Sequence, residues 1–163
     1  VFNGLVFDIC SSMKTHGIQA ILIVNGHGGN SRALRDNVPS FSEELGIPIE
    51  AYSYWDSIPR DRRHEFTDTG SVPGHADELE TSFALAAFPH RLRRVEYVER
   101  DVYSWEPDPA DLERVGFEDA RWFSKEFDKS SFEESKIATA EKGEKAILHA
   151  TEWLAAKLQA MLG

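Results

Sequence analysis

Two short stretches of this chain hold residue types that bind metals and move protons. The first is Asn25-Gly26-His27-Gly28-Gly29-Asn30. The glycines at 26, 28 and 29 give a backbone that turns sharply and lets a ligand approach closely, and the His27 imidazole sits among them. The second is Gly74-His75-Ala76-Asp77-Glu78-Leu79-Glu80-Thr81-Ser82. Glu80 follows His75 by five residues, so a loop imidazole and a carboxylate one turn into a helix can converge on one point. His27 and Glu80 together offer the nitrogen and oxygen donors that zinc and manganese accept.

Simpler readings compete at both places. A tight strand-to-helix turn would explain the first stretch, although a turn alone needs one or two glycines and no imidazole. A dinucleotide fingerprint wants Gly-x-Gly-x-x-Gly, whereas Gly26-His27-Gly28-Gly29-Asn30-Ser31 ends in serine. An imidazole between the first two glycines would also crowd a pyrophosphate, even though Glu50 stands where a ribose-binding acid would. A nucleotide- or phosphate-binding loop at a helix N-terminus is therefore the rival function. In the second stretch Asp77 and Glu78 are equally what a helix N-terminus favours, because carboxylates offset the positive end of its dipole.

The elements around these loops read as alternating helices and strands. Phe2, Leu5, Val6, Ile9 and Met13 recur on one face of an opening helix, which Gly17 stops. Gln19–Val24 is a continuous apolar run, as a strand buried on both faces of a parallel sheet requires. A helix from about Ser31 places Leu34, Val38, Phe41 and Leu45 on one side. Pro39 should kink it, Ser40 with Glu43 should restart it as a capping box, and Gly46 should close it. Residues 48–55 read as the next strand, 56–74 as a polar loop, and 76–88 as a third helix. The stretch 91–135 is aromatic and acidic, with a short strand expected near Val95–Val98. From about Lys136 a long helix carries Ile147, Ala150, Leu154, Leu158 and Met161 as a core or subunit-contact stripe. Such alternation predicts a single α/β domain over 1–163 with a mainly parallel sheet, where ligands bind at the carboxyl ends of the strands.

Composition removes several function classes. The 163 residues suffice for one domain with a real core, and the formal charge of −10 opposes a nucleic-acid partner. Basic residues gather only at Arg60-Asp61-Arg62-Arg63-His64 and Arg91-Leu92-Arg93-Arg94, which read as solvated loop charge or as anion contacts. No apolar run approaches the ~20 residues of a membrane span, and Val1–Leu5 has no basic leader region. The single cysteine, Cys10, rules out an internal disulfide and fits a cytoplasmic protein with one buried thiol.

Val24–Asn30, followed about fifty residues later by Gly74-His75-Ala76 and Glu80-Thr81-Ser82, resembles the creatininase (creatinine amidohydrolase) family. Ala138-Thr139-Ala140-Glu141-Lys142-Gly143-Glu144 resembles, more weakly, the opening of that family's last helix. The resemblance implies a three-layer α/β/α sandwich, assembly as homo-oligomers, commonly hexamers, and hydrolysis of a non-peptide C–N bond in a small amide. Two divalent ions (zinc, manganese or iron) would activate the water. His27 and Glu80 would then serve the metals and His75 would shuttle a proton. Gly26, Gly28, Gly29 and Asn30 would shape the loop, and Trp55 would either wall the substrate pocket or belong to the core.

The chain departs from that pattern in three ways. Creatininase itself has a metal-binding carboxylate where this chain has Gly29, and a carboxylate where it has Gly74. The Gly-Gly version is similar instead to deformylase-like and peptide-trimming branches, so a cyclic amide or formamide other than creatinine is expected. Family members also carry an upstream Glu-x-His-Gly-x-His-Leu-Pro segment that ends in an aspartate. It would precede Val1, so this sequence reads as the C-terminal two-thirds of the pattern, with the N-terminal part of the fold and several metal ligands absent. A catalytically inactive remnant acting as an interaction domain is the alternative for a chain so shortened.

Overall fold

The opening helix, α1 (Phe2–Thr15), forms as its apolar periodicity predicts, but it buries a different face. Cys10 is its buried residue, and Val6 and Phe7 pack against the core, whereas Phe2, Leu5, Ile9 and Met13 are exposed. The stripe is wide, and only its Val6-Phe7-Cys10 side meets the next helix, with Phe7 edge-on to Phe41 at 5.3 Å. Cys10 is 1% exposed, and burial pushes its thiol up, as in a structural core position.

The computed structural model describes residues 1–70, 75–93 and 125–163, which divide into two units. The first comprises Val1–Ser57 with Thr151–Gly163. Here β1 (Ile21–Asn25) and β2 (Ile49–Ser53) pair in parallel, with Ile21 opposite Ile49 and Asn25 opposite Ser53. The α/β class and the parallel pairing follow the expectation. Burial on both faces does not, because Val24 is 55% exposed and only Ile21 and Asn25 of β1 are buried.

The crossover helix α2 (Ser31–Leu45) buries Leu34, Val38, Phe41 and Leu45, as their spacing predicts. With Cys10, Ile21 and Ile49 they form the unit's core. Pro39 sits inside α2 without interrupting it, and Ser40 donates to the Asn37 carbonyl instead of starting a new helix. A proline costs the helix one backbone donor, and four buried apolar side chains on one face outweigh that loss. Gly46, at φ 65°, closes the helix in the left-handed conformation that glycine adopts freely.

The second unit, Ile58–Ala150, holds α3 (Glu78–Ala87), α4 (Lys125–Ser135) and the start of α5 (Ala140–Leu162), whose remainder belongs to the first unit. The expected helix start at Lys136 is thus four residues early. The 56–74 stretch is not simply a polar loop. It takes in the end of a 3-10 turn at Tyr54–Ser57 and a second at Arg60–Glu65, and it buries Ile58, Phe66 and Thr67. Gly74 and the strand expected at Val95–Val98 lie outside the described residues.

Gly143 and Ala146 of α5 are buried, and the Gly143 backbone lies directly on the Ser82 carbonyl of α3. In the first unit Trp153 meets Tyr52 edge-on at 5.0 Å, and the Lys157 ammonium lies 5.1 Å and 5.0 Å from those two rings. A Cβ at Gly143 would overlap backbone, which cannot swing aside. Gly143→Ala should therefore destabilise the fold by about 1–3 kcal/mol, read as a lower urea midpoint at unchanged m-value.

Candidate functional site

In the first unit the His27 loop is built on a buried amide. Asn25 is 4% exposed and ends β1. Its Nδ2 donates to the His27 carbonyl (3.0 Å), to Ser31 Oγ (3.2 Å) and to Ser53 Oγ (3.0 Å). Its Oδ1 accepts from the His27 N–H (3.2 Å) and from Asn30 Nδ2 (3.3 Å). One side chain thus ties together both strand ends, the loop and the start of α2. Only an amide can both donate and accept in this way.

His27 is extended, at φ −146° and ψ 130°, and its carbonyl accepts from the Asn30 N–H to close the Gly28–Asn30 turn. The imidazole is exposed and folds over that turn. A Cβ on Gly29 would stand 3.1 Å from His27 Nε2, so this ring position leaves little room for any side chain at 29. Gly26 and Gly28 are exposed and Asn30 is half-buried.

Trp55 is half-buried, edge-on to Tyr54 at 4.9 Å. It borders a cavity of about 450 Å³ together with Asn25, Arg35, Glu50, Tyr52 and Asp56. Tyr52 donates to Glu50 across 2.6 Å, and that bond with burial pushes its phenol up to about 12. Glu50, the acid that mimicked a ribose ligand in the sequence, thus accepts from its own strand.

The second unit holds His75 and Glu80. Asp77 caps α3, accepting from the Glu80 N–H at 2.9 Å, while Glu80 Oε2 reaches back to the Ala76 N–H at 2.8 Å. This is a capping box displaced by one residue. The Thr81 hydroxyl adds a bond to the Ala76 carbonyl at 3.0 Å. Ala76 is left-handed at φ 50°, a conformation costing an alanine about 1–2 kcal/mol. These three bonds hold it there, and His75 stands exposed beside it.

Glu78 was the residue whose role the sequence concealed. It is 1% exposed, and its carboxylate accepts from the Asp68 N–H (2.8 Å), the Thr69 N–H (3.0 Å), the Thr69 hydroxyl (3.0 Å) and Lys142 Nζ (2.6 Å). Burial alone would raise its pKa, but the ammonium and the N–H donors outweigh burial and hold it below the usual carboxylate range. Lys142 also reaches Asp68 (2.8 Å) and the Ile137 carbonyl (2.9 Å). Ser82, fully buried, accepts from the Thr139 N–H at 3.2 Å. The 75–82 and 138–144 segments, separate in sequence, therefore form one assembly.

The structure places His27 in the first unit and His75 and Glu80 in the second. His27 and Glu80 suit a divalent ion in donor type. In number they do not fit, because a catalytic zinc site takes three protein ligands. Among the described residues no group of three His, Cys, Asp or Glu side chains gathers.

Replacing Asn25 with alanine should cost about 1–3 kcal/mol and broaden the amide signals of residues 26–31 in an ¹⁵N correlation spectrum. The Glu78 pKa is depressed on folding, so its contribution is present above the unfolded carboxylate value and lost as pH falls through the folded one. Lys142→Met should therefore destabilise by about 2–3 kcal/mol at neutral pH. That deficit should shrink in acid as Glu78 protonates, as read from urea midpoints across pH 3–7.

Comparison with known proteins gives one result. No curated protein and no solved structure matches the chain. The family model described as creatinine amidohydrolase matches residues 1–158, which takes in the His27 loop, the His75–Glu80 turn and the start of α5. A match across nearly the whole length, on the loops whose geometry is given above, means that this chain belongs to the creatininase family.

Proposed function

We propose that this chain serves metal-dependent hydrolysis of a non-peptide C–N bond, in a cyclic amide or a formamide, with His75 as the proton carrier. Family membership over residues 1–158 carries the reading. In support, His75 is exposed on a turn fixed by Asp77, Glu80 and Thr81, so an imidazole, the side chain best suited to proton shuttling, stands on rigid backbone. In this reading His75 gives its proton to the leaving nitrogen. His27 and Glu80 are this chain's contribution to metal coordination, and the further ligands come from other residues, in this chain or a second copy.

In support of a substrate other than creatinine, this chain has Gly29 where creatininase itself carries a metal-binding carboxylate. A homo-oligomer belongs to the same reading, supported by the exposed apolar face of α1 at Phe2, Leu5, Ile9 and Met13.

Metal content per chain, on protein purified without chelator or tag-derived metal, is the first test. About two equivalents per chain are expected. Metal-free, folded protein that gains no ions on dialysis against zinc or manganese would favour an interaction module instead. In metal-loaded protein hydrolysing a formamide, His75→Ala should lower kcat by roughly 10²–10⁴, with metal content unchanged. Near-normal turnover would remove His75 from the proton path.

A further inference from the structure

Pro59 opens the six-residue 3-10 helix Arg60–Glu65. With three residues per turn, side chains at i and i+3 eclipse, so Arg60 and Arg63 share one side, while Arg62 and Glu65 share another. Arg62 is neutralised there, since its Nε and Nη2 donate to the two Glu65 oxygens at 2.7 and 2.8 Å.

Arg63 has a different environment. Its backbone is pinned, the carbonyl accepting from the Phe66 N–H (2.9 Å), the Thr67 N–H (3.0 Å) and the Thr67 hydroxyl (3.3 Å). Buried Ile58 and Phe66 flank the segment. Its side chain is half-buried, and among the described residues no hydrogen bond or ion pair reaches the guanidinium of Arg63 or that of Arg60. Burial, and then the neighbouring charge of Arg60, hold Arg63 below the usual arginine range.

A guanidinium does not discharge in a protein. Arg63 therefore stays cationic in a place where burial and a like charge both disfavour it, and among the described residues no carboxylate offsets either. In a chain of net charge −10, a half-buried arginine on a rigid turn that has no counter-ion among the described residues is set for one from outside. Two guanidinium forks on one side offer the paired N–H geometry that oxyanions accept.

We propose that Arg60 and Arg63 form a binding site for a small oxyanion, a phosphate or carboxylate group, held by the donors of both guanidinium groups. The site is independent of the hydrolase reading, and its test needs no turnover. The full chain is titrated calorimetrically with inorganic phosphate and separately with acetate, at constant ionic strength. Saturable binding of at least one ion is expected, and the tighter of the two identifies the group as phosphate or carboxylate.

Arg63→Gln should weaken that binding by at least about tenfold and Arg60→Gln by a smaller factor, whereas Arg62→Gln should leave it within about twofold. Arg63→Lys keeps the charge but loses the fork. A loss in that variant at unchanged Tm therefore reads recognition and not folding. Failure of both ions to saturate, or equal weakening by Arg62→Gln and Arg63→Gln, would overturn the site as diffuse charge attraction.

Discussion

A carboxylate with 1% exposure is the constraint on which the second unit depends. Taking a lone carboxylate out of water costs several kcal/mol, and the fold keeps it charged only by bringing donors to it. The donors to Glu78 come from three places: the Asp68–Thr69 backbone, the Thr69 hydroxyl and Lys142. Each must arrive for the others to be worthwhile, so the turn before α3, the start of α3 and the start of α5 are fixed together. His75 and Glu80 lie on either side of Glu78 and inherit that fixed position. The left-handed Ala76 is tolerable for the same reason, since bonds on both sides hold its backbone more strongly than its steric preference opposes it.

The first unit solves the same problem with a neutral group. Asn25 faces acceptors and donors at once, where a carboxylate could only accept. Its partner Ser53 stands opposite it in the parallel register, so the pairing of β1 with β2 and the shape of the His27 loop are one arrangement. In both units the buried polar residue is fully engaged, and the neighbouring imidazole is left exposed. Rigid support beneath an exposed side chain is what a site needs if ligand contact is not to cost further ordering.

Legibility in the sequence followed the range of the interactions. The α2 stripe and its Gly46 stop were readable because a helix face and its cap are local. The capping-box restart at Ser40 misled, since local preference favours a new start after Pro39 and the burial of Val38 and Phe41 carries one helix through. The α1 stripe misled in another way: periodicity finds an apolar face, but which part is covered depends on Phe41 and the sheet. Both histidine loops were visible as motifs, and Asn25 and Glu78 stood inside those motifs unread. Dipole logic made Glu78 one of several acids at a helix start, and its distant partners, Asp68, Thr69 and Lys142, 64 residues later, distinguish it. The signal that existed was the weak likeness at 138–144, which becomes meaningful once Ser82 and Gly143 are seen in contact.

The basic run at 60–64 carries this reasoning one step further. As a string it is a patch of like charge, and composition can only class it as solvated. In space the turn sorts it, because a three-residue period gives Arg62 to Glu65 and leaves Arg63 with Arg60. Adjacent arginines, identical in type, thus end with opposite electrostatics, one neutralised at the surface and one half-buried with no counter-charge among the described residues. Glu78 and Arg63 then differ in one respect that matters for function. The fold supplies every partner of the first, and among the described residues it supplies none for the guanidinium of the second. A buried charge completed from within is scaffold, whereas one left incomplete on pinned backbone is where an outside ligand gains most.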